Sequence, residues 1–342
     1  MQSHKVFLVF LSCLYSLSVF GATSRKVVII HSYPKGEWYF GIEKGITETL
    51  NKFKGNYEVI NYLYDYEVLK FKAVAEQERA IDKILKEIAK VKPEYIVVND
   101  DEATSKFIDR FPLDQKIILN GINQFPDEAA WAKGKAMKSY CGVVEQYPIE
   151  KSLKMISLMS KNIKQMSVVS SEGDSSKIVA KIFENLRNDK TQKVQLRSIY
   201  LHSKWSDWKK AFLEINQKDD LAWILVPYEV HDENGRLMPL QEMAKWIKTN
   251  VKVPLLGILS IHTKMGFLSA ISVDPYGLGK QTGEIIIRLE KGEKCQTIGF
   301  EKSKYHTFEI NTDEVARLKM KVPEEFIGVA TFVKYPLMNY GR

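Results

Sequence analysis

The sequence predicts an α/β chain built as two doubly wound, parallel-sheet lobes. Three observations carry this expectation. Strand-like and helix-like stretches alternate regularly, the signature of βαβ units feeding a parallel sheet. The alternation runs through one unit of roughly 120 residues and then begins again near Ile149. Nearly every strand-like run empties into a polar or aromatic loop, the layout of a sheet edge where ligands collect beyond the strand carboxyl ends.

The elements follow in order. Arg25 to Tyr33 contains the apolar run Val27-Val28-Ile29-Ile30 and reads as a strand. Phe40 to Phe53 places Ile42, Ile46 and Leu50 at helical spacing. Tyr57 to Tyr64, rich in β-branched and aromatic residues, is a second strand. Val68 to Val91 is a long amphipathic helix with Ala75, Ala80, Ile81, Ile84, Leu85 and Ile88 on one side, ended by Pro93. Tyr95 to Val98 is a strand stopping at Asn99-Asp100-Asp101, Ala103 to Phe111 a helix, and Lys116 to Leu119 a strand stopping at Asn120-Gly121. In the second unit, helices are expected over Ile149–Met159, Lys177–Leu186, Trp205–Ile215 and Leu240–Thr249. Strands alternate with them over Gln165–Ser170, Val194–Tyr200, Ala222–Val226 and Val253–Ile258, the last emptying into Ser260. Gly266 to Val273 reads as a pair of short strands, Leu278 to Leu289 as a helix closed by Gly292, Thr307 to Ile310 as extended, and Thr312 to Leu318 as a last short helix.

Composition bounds the function. The chain has 342 residues, 45% hydrophobic and 27% charged, an ordinary globular balance. The net charge of +8 is spread among interleaved acids and bases, with no basic stripe carrying interleaved aromatics, so nucleic-acid binding is not expected. The first residues stand apart: a short positive start at Met1–Lys5, an apolar run Val6–Phe20, and Val19-Phe20-Gly21 at the end. This is the pattern of a secretory signal, with cleavage after Gly21 and Ala22 as the alternative site. The run is short of the roughly 20 residues that a spanning helix needs, though a retained anchor stays open. Export permits a disulfide between Cys141 and Cys295, but nothing local shows that they meet, and two buried free thiols is the preferred reading. The six histidines are scattered, none three or four residues from another, so no metal and no cofactor are expected.

The loops supply candidate binding residues. The stretch HSYPKGEW after the first strand brings His31, Ser32, Tyr33 and Trp38. Asn99-Asp100-Asp101 and Asn120 follow the next strands; Ser170-Ser171, Tyr228 and Ser260 follow those of the second unit. If both sheets face one cleft, these loops line it. Trp38 either stacks on a flat ligand or packs as a core aromatic at the start of the first helix. Asp100 or Asp101 suits a ligand ammonium, while Asn99-Asp100-Asp101 also suits a helix cap. Ser170-Ser171, before a helix, suits a carboxylate or plain capping, with Glu172 and Asp174 weakening the first. His31 lacks a marked nucleophile partner, so hydrogen bonding to ligand or loop is expected of it rather than catalysis. No G-x-G-x-x-G follows the first strand, and neither a P-loop nor G-x-S-x-G occurs, which argues against an enzyme.

The strand running into HSY with Trp38 beyond it, followed by GIEKGITETL, resembles the start of periplasmic solute-binding proteins of ABC transporters, in the type I class whose nearest group includes binders of tryptophan and other aromatic amino acids. The far end is similar too: Asp274-Pro275-Tyr276-Gly277-Leu278-Gly279-Lys280-Gln281, then Leu289-Glu290-Lys291-Gly292-Glu293, Asn311-Thr312 and Val322-Pro323-Glu324-Glu325-Phe326. The resemblance spans residues 25–330 and rests on the order and spacing of these stretches. It implies three crossings between lobes, near Gly142-Val143, Ile271–Asp274 and Phe300–Lys304, and hence a three-strand hinge. The lobes would be 25–142 plus 273–301 and 143–272 plus 302–335. Asp274, at the second crossing, is a further candidate for a ligand ammonium or for a structural role. Pro34-Lys35 and the turn His231–Arg236 depart from the family pattern and leave ligand identity open.

The implied function is that of an exported, periplasmic, monomeric protein. It captures a small amino-acid-like molecule with a flat apolar part and a polar head, and delivers it to an inner-membrane ABC permease. The alternative is the same fold presenting its loaded lobes to a membrane sensor kinase or chemoreceptor.

Overall fold

The computed structural model describes residues 24–334, apart from positions 54, 113, 130, 131, 134–138, 188 and 190. The signal segment expected over residues 1–21 lies outside the described residues.

The first sheet is all parallel. β1 (Arg25–His31) pairs with β2 (Tyr57–Leu63) on one side and β3 (Tyr95–Asn99) on the other; β4 (Lys116–Ile122) and β5 (Cys141–Val144) extend it, and β11 (Phe300–Lys302) closes it. Its order is β2-β1-β3-β4-β5-β11. The second sheet repeats the scheme with β6 (Gln165–Ser170), β7 (Gln195–Leu201), β8 (Leu221–Ile224), β9 (Leu255–Gly257), β10 (Ser269–Val273), β12 (His306–Asn311) and β13 (Thr331–Val333). Its order is β7-β6-β8-β9-β10-β12-β13, parallel except that β12 runs antiparallel to β10. In both sheets the order reverses beside the first strand of the unit, between β1 and β3 and between β6 and β8, and the edge at such a switch point is where a doubly wound sheet takes ligands.

Burial explains the strands. Those flanked on both faces by helices read as unbroken apolar runs, and β3 and β8 are buried throughout. Around the first sheet pack α1 (Glu37–Lys52), α2 (Tyr66–Leu69), α3 (Val74–Val91), α4 (Asp100–Phe107), α10 (Pro275–Glu290) and α11 (Cys295–Ile298). Around the second pack α5 (Ile149–Met159), α6 (Asp174–Arg187), α7 (Trp205–Lys218), α8 (Leu240–Asn250), α9 (Ser260–Lys264) and α12 (Thr312–Arg317). The chain therefore passes between the sheets after β5, after β10 and after β11.

α10 lies hard against α1. A Cβ at Gly45 would sit 2.2 Å from the Tyr276 carbonyl oxygen, and one at Gly279 2.2 Å from that of Ile42. The two helices can approach this closely only without those side chains.

Several local expectations are corrected. The long helix over Val68–Val91 is two helices, α2 and α3, broken at 70–73; Asp65 caps α2 by accepting from the Val68 N–H. Ser260 opens α9 instead of a loop, held by His262 Nδ1 accepting from the Leu259 N–H, and Gly266 at φ 88° turns the chain into one strand where two were expected. Cys141 and Cys295 are not free thiols; they form a disulfide with Cα atoms 4.8 Å apart across a sequence separation of 154. The pairing of β11 with β5 sets Gly299-Phe300 beside Cys141-Gly142 and so brings α11 to Cys141, a long-range register that local spacing does not encode.

Candidate functional site

At the carboxyl edge of the first sheet a row of polar side chains runs from strand to strand. Asn61 on β2 donates from Nδ2 to Glu43 at 2.8 Å, and its Oδ1 lies 2.9 Å from His31 Nε2 on β1. Asn99 on β3 donates to His31 Nδ1 at 3.0 Å, and Asn120 on β4 donates to Asn99 Oδ1 at 2.8 Å. Thr282 on α10 ends the row by donating to Asn120 at 2.5 Å. The amide partners assign the His31 proton to Nε2. Burial holds its pKa down to about 4, so the ring is neutral at physiological pH, and it stacks on Tyr39 with centroids 3.8 Å apart. Ser32 Oγ donates to the Asn99 carbonyl at 2.7 Å and accepts from the Ala103 N–H at 3.0 Å. His31, Ser32, Asn99 and Asn120 thus spend their polar atoms on one another, on Asn61 and Thr282, and on the backbone, and they fix the positions of the loops above them.

In front of this row stands a cluster of carboxylates and rings. Asp100 takes φ 67°, the left-handed region that Asp tolerates better than most residues. Its Oδ1 accepts from Trp38 Nε1 at 3.0 Å, while Oδ2 is buried with no partner. Gly121, itself at φ 67°, adjoins both side chains: a Cβ there would lie 3.3 Å from Asp100 Oδ1 and 3.5 Å from Trp38 Cζ2. Asp101 Oδ2 accepts from the Asn123 backbone and side-chain nitrogens at 2.8 and 2.7 Å. Tyr33 is hydrogen-bonded to Glu102. Just past β5, where the chain leaves the first sheet, Glu145 is 8% exposed and hydrogen-bonded to Tyr147, whose hydroxyl also donates to Asn123 Oδ1 at 3.1 Å.

The electrostatics are one-sided. Burial raises the Asp100 carboxyl well above the usual carboxylate range, and the charges of Glu102, Glu145 and Asp101 raise it further. Burial likewise pushes Glu145 up to about 8, with Asp101 and Glu102 adding to it and the Tyr147 hydrogen bond opposing. Glu145 and Tyr147 were not among the residues singled out by sequence. The signal was present, since Glu145 directly follows the strand-like Gly142-Val143-Val144, but that strand is short and was read only as a lobe boundary.

The edge of the second sheet is tied down in the same way. Ser170 Oγ accepts from the Val226 N–H at 3.1 Å, and the Ser171 N–H donates to the Val226 carbonyl at 3.0 Å while its hydroxyl lies 2.9 Å from that of Ser176. Both serines join the end of β6 to the end of β8. Tyr228 is 43% exposed and feels Glu37 and Glu67 of the opposite sheet's elements together with Lys264. Ser260 accepts through its carbonyl from Thr263 Oγ1 at 2.8 Å. Asp274 caps α10 by accepting from the Tyr276 N–H at 3.0 Å. Two ion pairs cross between the halves, Lys70 with Glu229 and Lys264 with Glu37. The predicted residues therefore fall into three groups: Tyr33, Trp38, Asp100 and Asp101 gathered at one edge with Glu145; Tyr228 and Ser260 on the second half; and His31, Ser32, Asn99, Asn120, Ser170, Ser171 and Asp274 committed to structure. Among the described residues no cluster of His, Cys, Asp and Glu could hold a metal ion, and no helix is long and apolar enough to cross a membrane.

Comparison with known proteins bears on this arrangement. A search of the curated proteins finds no match to the sequence. Among solved structures, a ligand-free, open substrate-binding protein with adhesive properties from Clostridium difficile superposes with a TM-score of 0.69 at 15% identity, over 91% of this chain and all of that one. An ABC domain from Streptococcus pneumonia in complex with L-Trp gives 0.65 at 16%, and a conserved domain protein from Vibrio cholerae 0.65 at 17%, with the same coverage of 91% and 100%. These likenesses show the fold, the two-lobe type I periplasmic binding architecture. The family of ABC transporter substrate binding proteins matches residues 42–334, and the chain therefore belongs to that family, a non-enzymatic class of small-molecule carriers.

Proposed function

We propose that the chain is exported to the periplasm, is cleaved near Gly21, and acts there as a monomer that captures an amino-acid-like solute with a flat apolar part and delivers it to an ABC permease. The observation that carries this is the family match over residues 42–334. The fold shared with a protein crystallised with L-Trp supports an aromatic ligand, and so does the indole of Trp38 standing beside Asp100. In this reading the lobes are 25–142 with 273–301 and 143–272 with 302–335, and they close over the ligand by bending at the three crossings. Tyr33, Trp38, Asp100, Asp101 and Glu145 offer one wall, and Tyr228 with Ser260 the other.

A thermal-shift screen of the purified mature chain against amino acids, amines, nucleosides and sugars tests the reading. A ligand at about 100 times its Kd adds roughly 2.7 kcal/mol of stability, which moves the melting temperature by several degrees. If no compound of any class shifts it, the solute-binding role fails. Exported protein that still begins at Met1 would show the signal segment to be retained.

A further inference from the structure

The first lobe's edge is acidic in a way that its structure does not use. Asp100 is 4% exposed, yet only one of its carboxylate oxygens has a partner, the Trp38 indole N–H. Burying an ionised carboxylate without a compensating partner is among the most unfavourable arrangements a protein can hold. The charges bearing on Asp100 are all negative, from Glu102, Glu145 and Asp101. Of the two lysines that bridge the halves, Lys70 is engaged by Glu67 and Glu229, and Lys264 by Glu37, so both already answer carboxylates of the chain itself. Around the acids stand the rings of Tyr33, Trp38 and Tyr147, each joined to the cluster by a hydrogen bond. Buried carboxylates set among aromatic rings suit an organic ammonium, and Trp is the strongest of the π partners for a cation.

Resting on the solute-binding reading, we infer that the ligand is recognised through an organic cation, an amine or quaternary ammonium seated between Asp100, Glu145 and the rings of Trp38, Tyr33 and Tyr147, and that a carboxylate on the ligand is not required. On the second lobe's edge, among the described residues, Lys264 is engaged by Glu37. Ser170 and Ser171 are occupied by Val226 and Ser176, and Glu172 and Glu229 lie on the same edge. A metal ion is a poor alternative, because no set of three ligating side chains among the described residues could hold one. Burial raises both carboxyls above the usual carboxylate range, Glu145 to about 8. A cation pairs with their ionised forms, so its binding strengthens as pH rises towards 8.

The test is calorimetric titration of the mature chain at pH 8 with four probes: tryptamine, choline, L-tryptophan and indole-3-propionate. Tryptamine or choline should bind at least as tightly as L-tryptophan, and indole-3-propionate should not bind. Asp100→Asn should weaken the bound cation tenfold or more, and Glu145→Gln should weaken it and flatten the rise of affinity between pH 6 and 8. If Asp100→Asn does not fold, Glu145→Gln alone decides. Binding of L-tryptophan or indole-3-propionate with neither cation bound overturns the inference and leaves the solute-binding role standing. So does unchanged cation affinity in both variants, or a sugar or nucleoside emerging as the sole ligand class in the thermal screen. Failure of every compound in that screen removes the role as well.

Discussion

Glu145 shows what one buried carboxyl does to the whole chain. Its pKa stands at about 8 against an ordinary 4.5, raised first by burial and then by Asp101 and Glu102, with only the Tyr147 hydrogen bond opposing. A carboxyl whose pKa is raised by folding contributes stability fully below the unfolded value and loses it as pH climbs through the folded one. The ligand-free chain should therefore lose stability between about pH 5 and pH 8. Glu145→Gln removes that titration while keeping an oxygen for Tyr147, so its melting temperature should match the parent's at pH 5 and exceed it at pH 8. Equal pH profiles for the two proteins would show that Glu145 is ionised in the fold. The residue also marks the limit of sequence reading at this scale. Trp38 and Asp100 were legible because each follows an apolar, β-branched run, Val27–Ile30 and Tyr95–Val98, that reads as a strand by itself. Glu145 follows four buried residues whose strand is held between β4 and β11, the latter more than 150 residues further along the chain. His31 was legible as a polar residue at the binding edge, but its partners Asn61 and Asn99 come from two other strands, and no local pattern announces that its two nitrogens are taken.

Among the elements, α1 and α10 carry the sharpest demand on sequence. Gly41 and Gly45 on one helix face Gly279 and Gly283 on the other, and each added Cβ would fall within 2.8 Å of a neighbouring atom. For Gly279 and Gly45 that neighbour is backbone, which cannot swing aside as a side chain tip can. Gly279→Ala should accordingly destabilise the protein by about 2 kcal/mol, within the usual range for overpacking and against the gain expected of Ala over Gly in a helix. Gly235, in an exposed turn at φ 78° with open space around it, is the control: Ala there meets only backbone strain, roughly 1 kcal/mol. Urea denaturation of both variants separates them, and a stabilised Gly279→Ala would mean that the helices sit further apart. The helical periodicity of α1 and α10 was plain in sequence, since Ile42, Ile46 and Leu50 recur at the right spacing. Their mutual closeness was not, because the helices are more than two hundred residues apart. The break between α2 and α3 escaped for a different reason. The apolar positions that mark the helix, Ala75 to Ile88, all lie in α3, while α2 buries no residue, so nothing in the periodicity places the helix start after 70–73.

At the scale of the whole molecule, the fold class was legible because strand and helix alternate twice with one topology, and each sheet then takes the same order around its first strand. The relation between the halves depends on contacts that no alternation encodes. Two ion pairs span them, Lys70 with Glu229 and Lys264 with Glu37, and the lysine side chains are only 11% and 21% exposed. Partial burial shields these pairs from solvent more than ordinary surface pairs, which contribute about 0–1 kcal/mol each. In the lobe closure proposed above, both pairs would hold the halves together without contributing to the folding of either lobe, and Glu37 and Lys264 also bear on Tyr228. A closed form favoured by about 1 kcal/mol from such pairs would be populated roughly fivefold more than without them. The double variant Glu37→Gln/Glu229→Gln should therefore open the ligand-free chain, seen as a larger radius of gyration in small-angle scattering. It should weaken ligand binding a few-fold while leaving the melting temperature nearly unchanged. Salt near 1 M, where the screening length falls to about 3 Å, should open the parent in the same direction and add little to the variant. Scattering curves that coincide for parent and variant at low salt would mean that the packing around the three crossings, and not these pairs, sets the angle between the lobes.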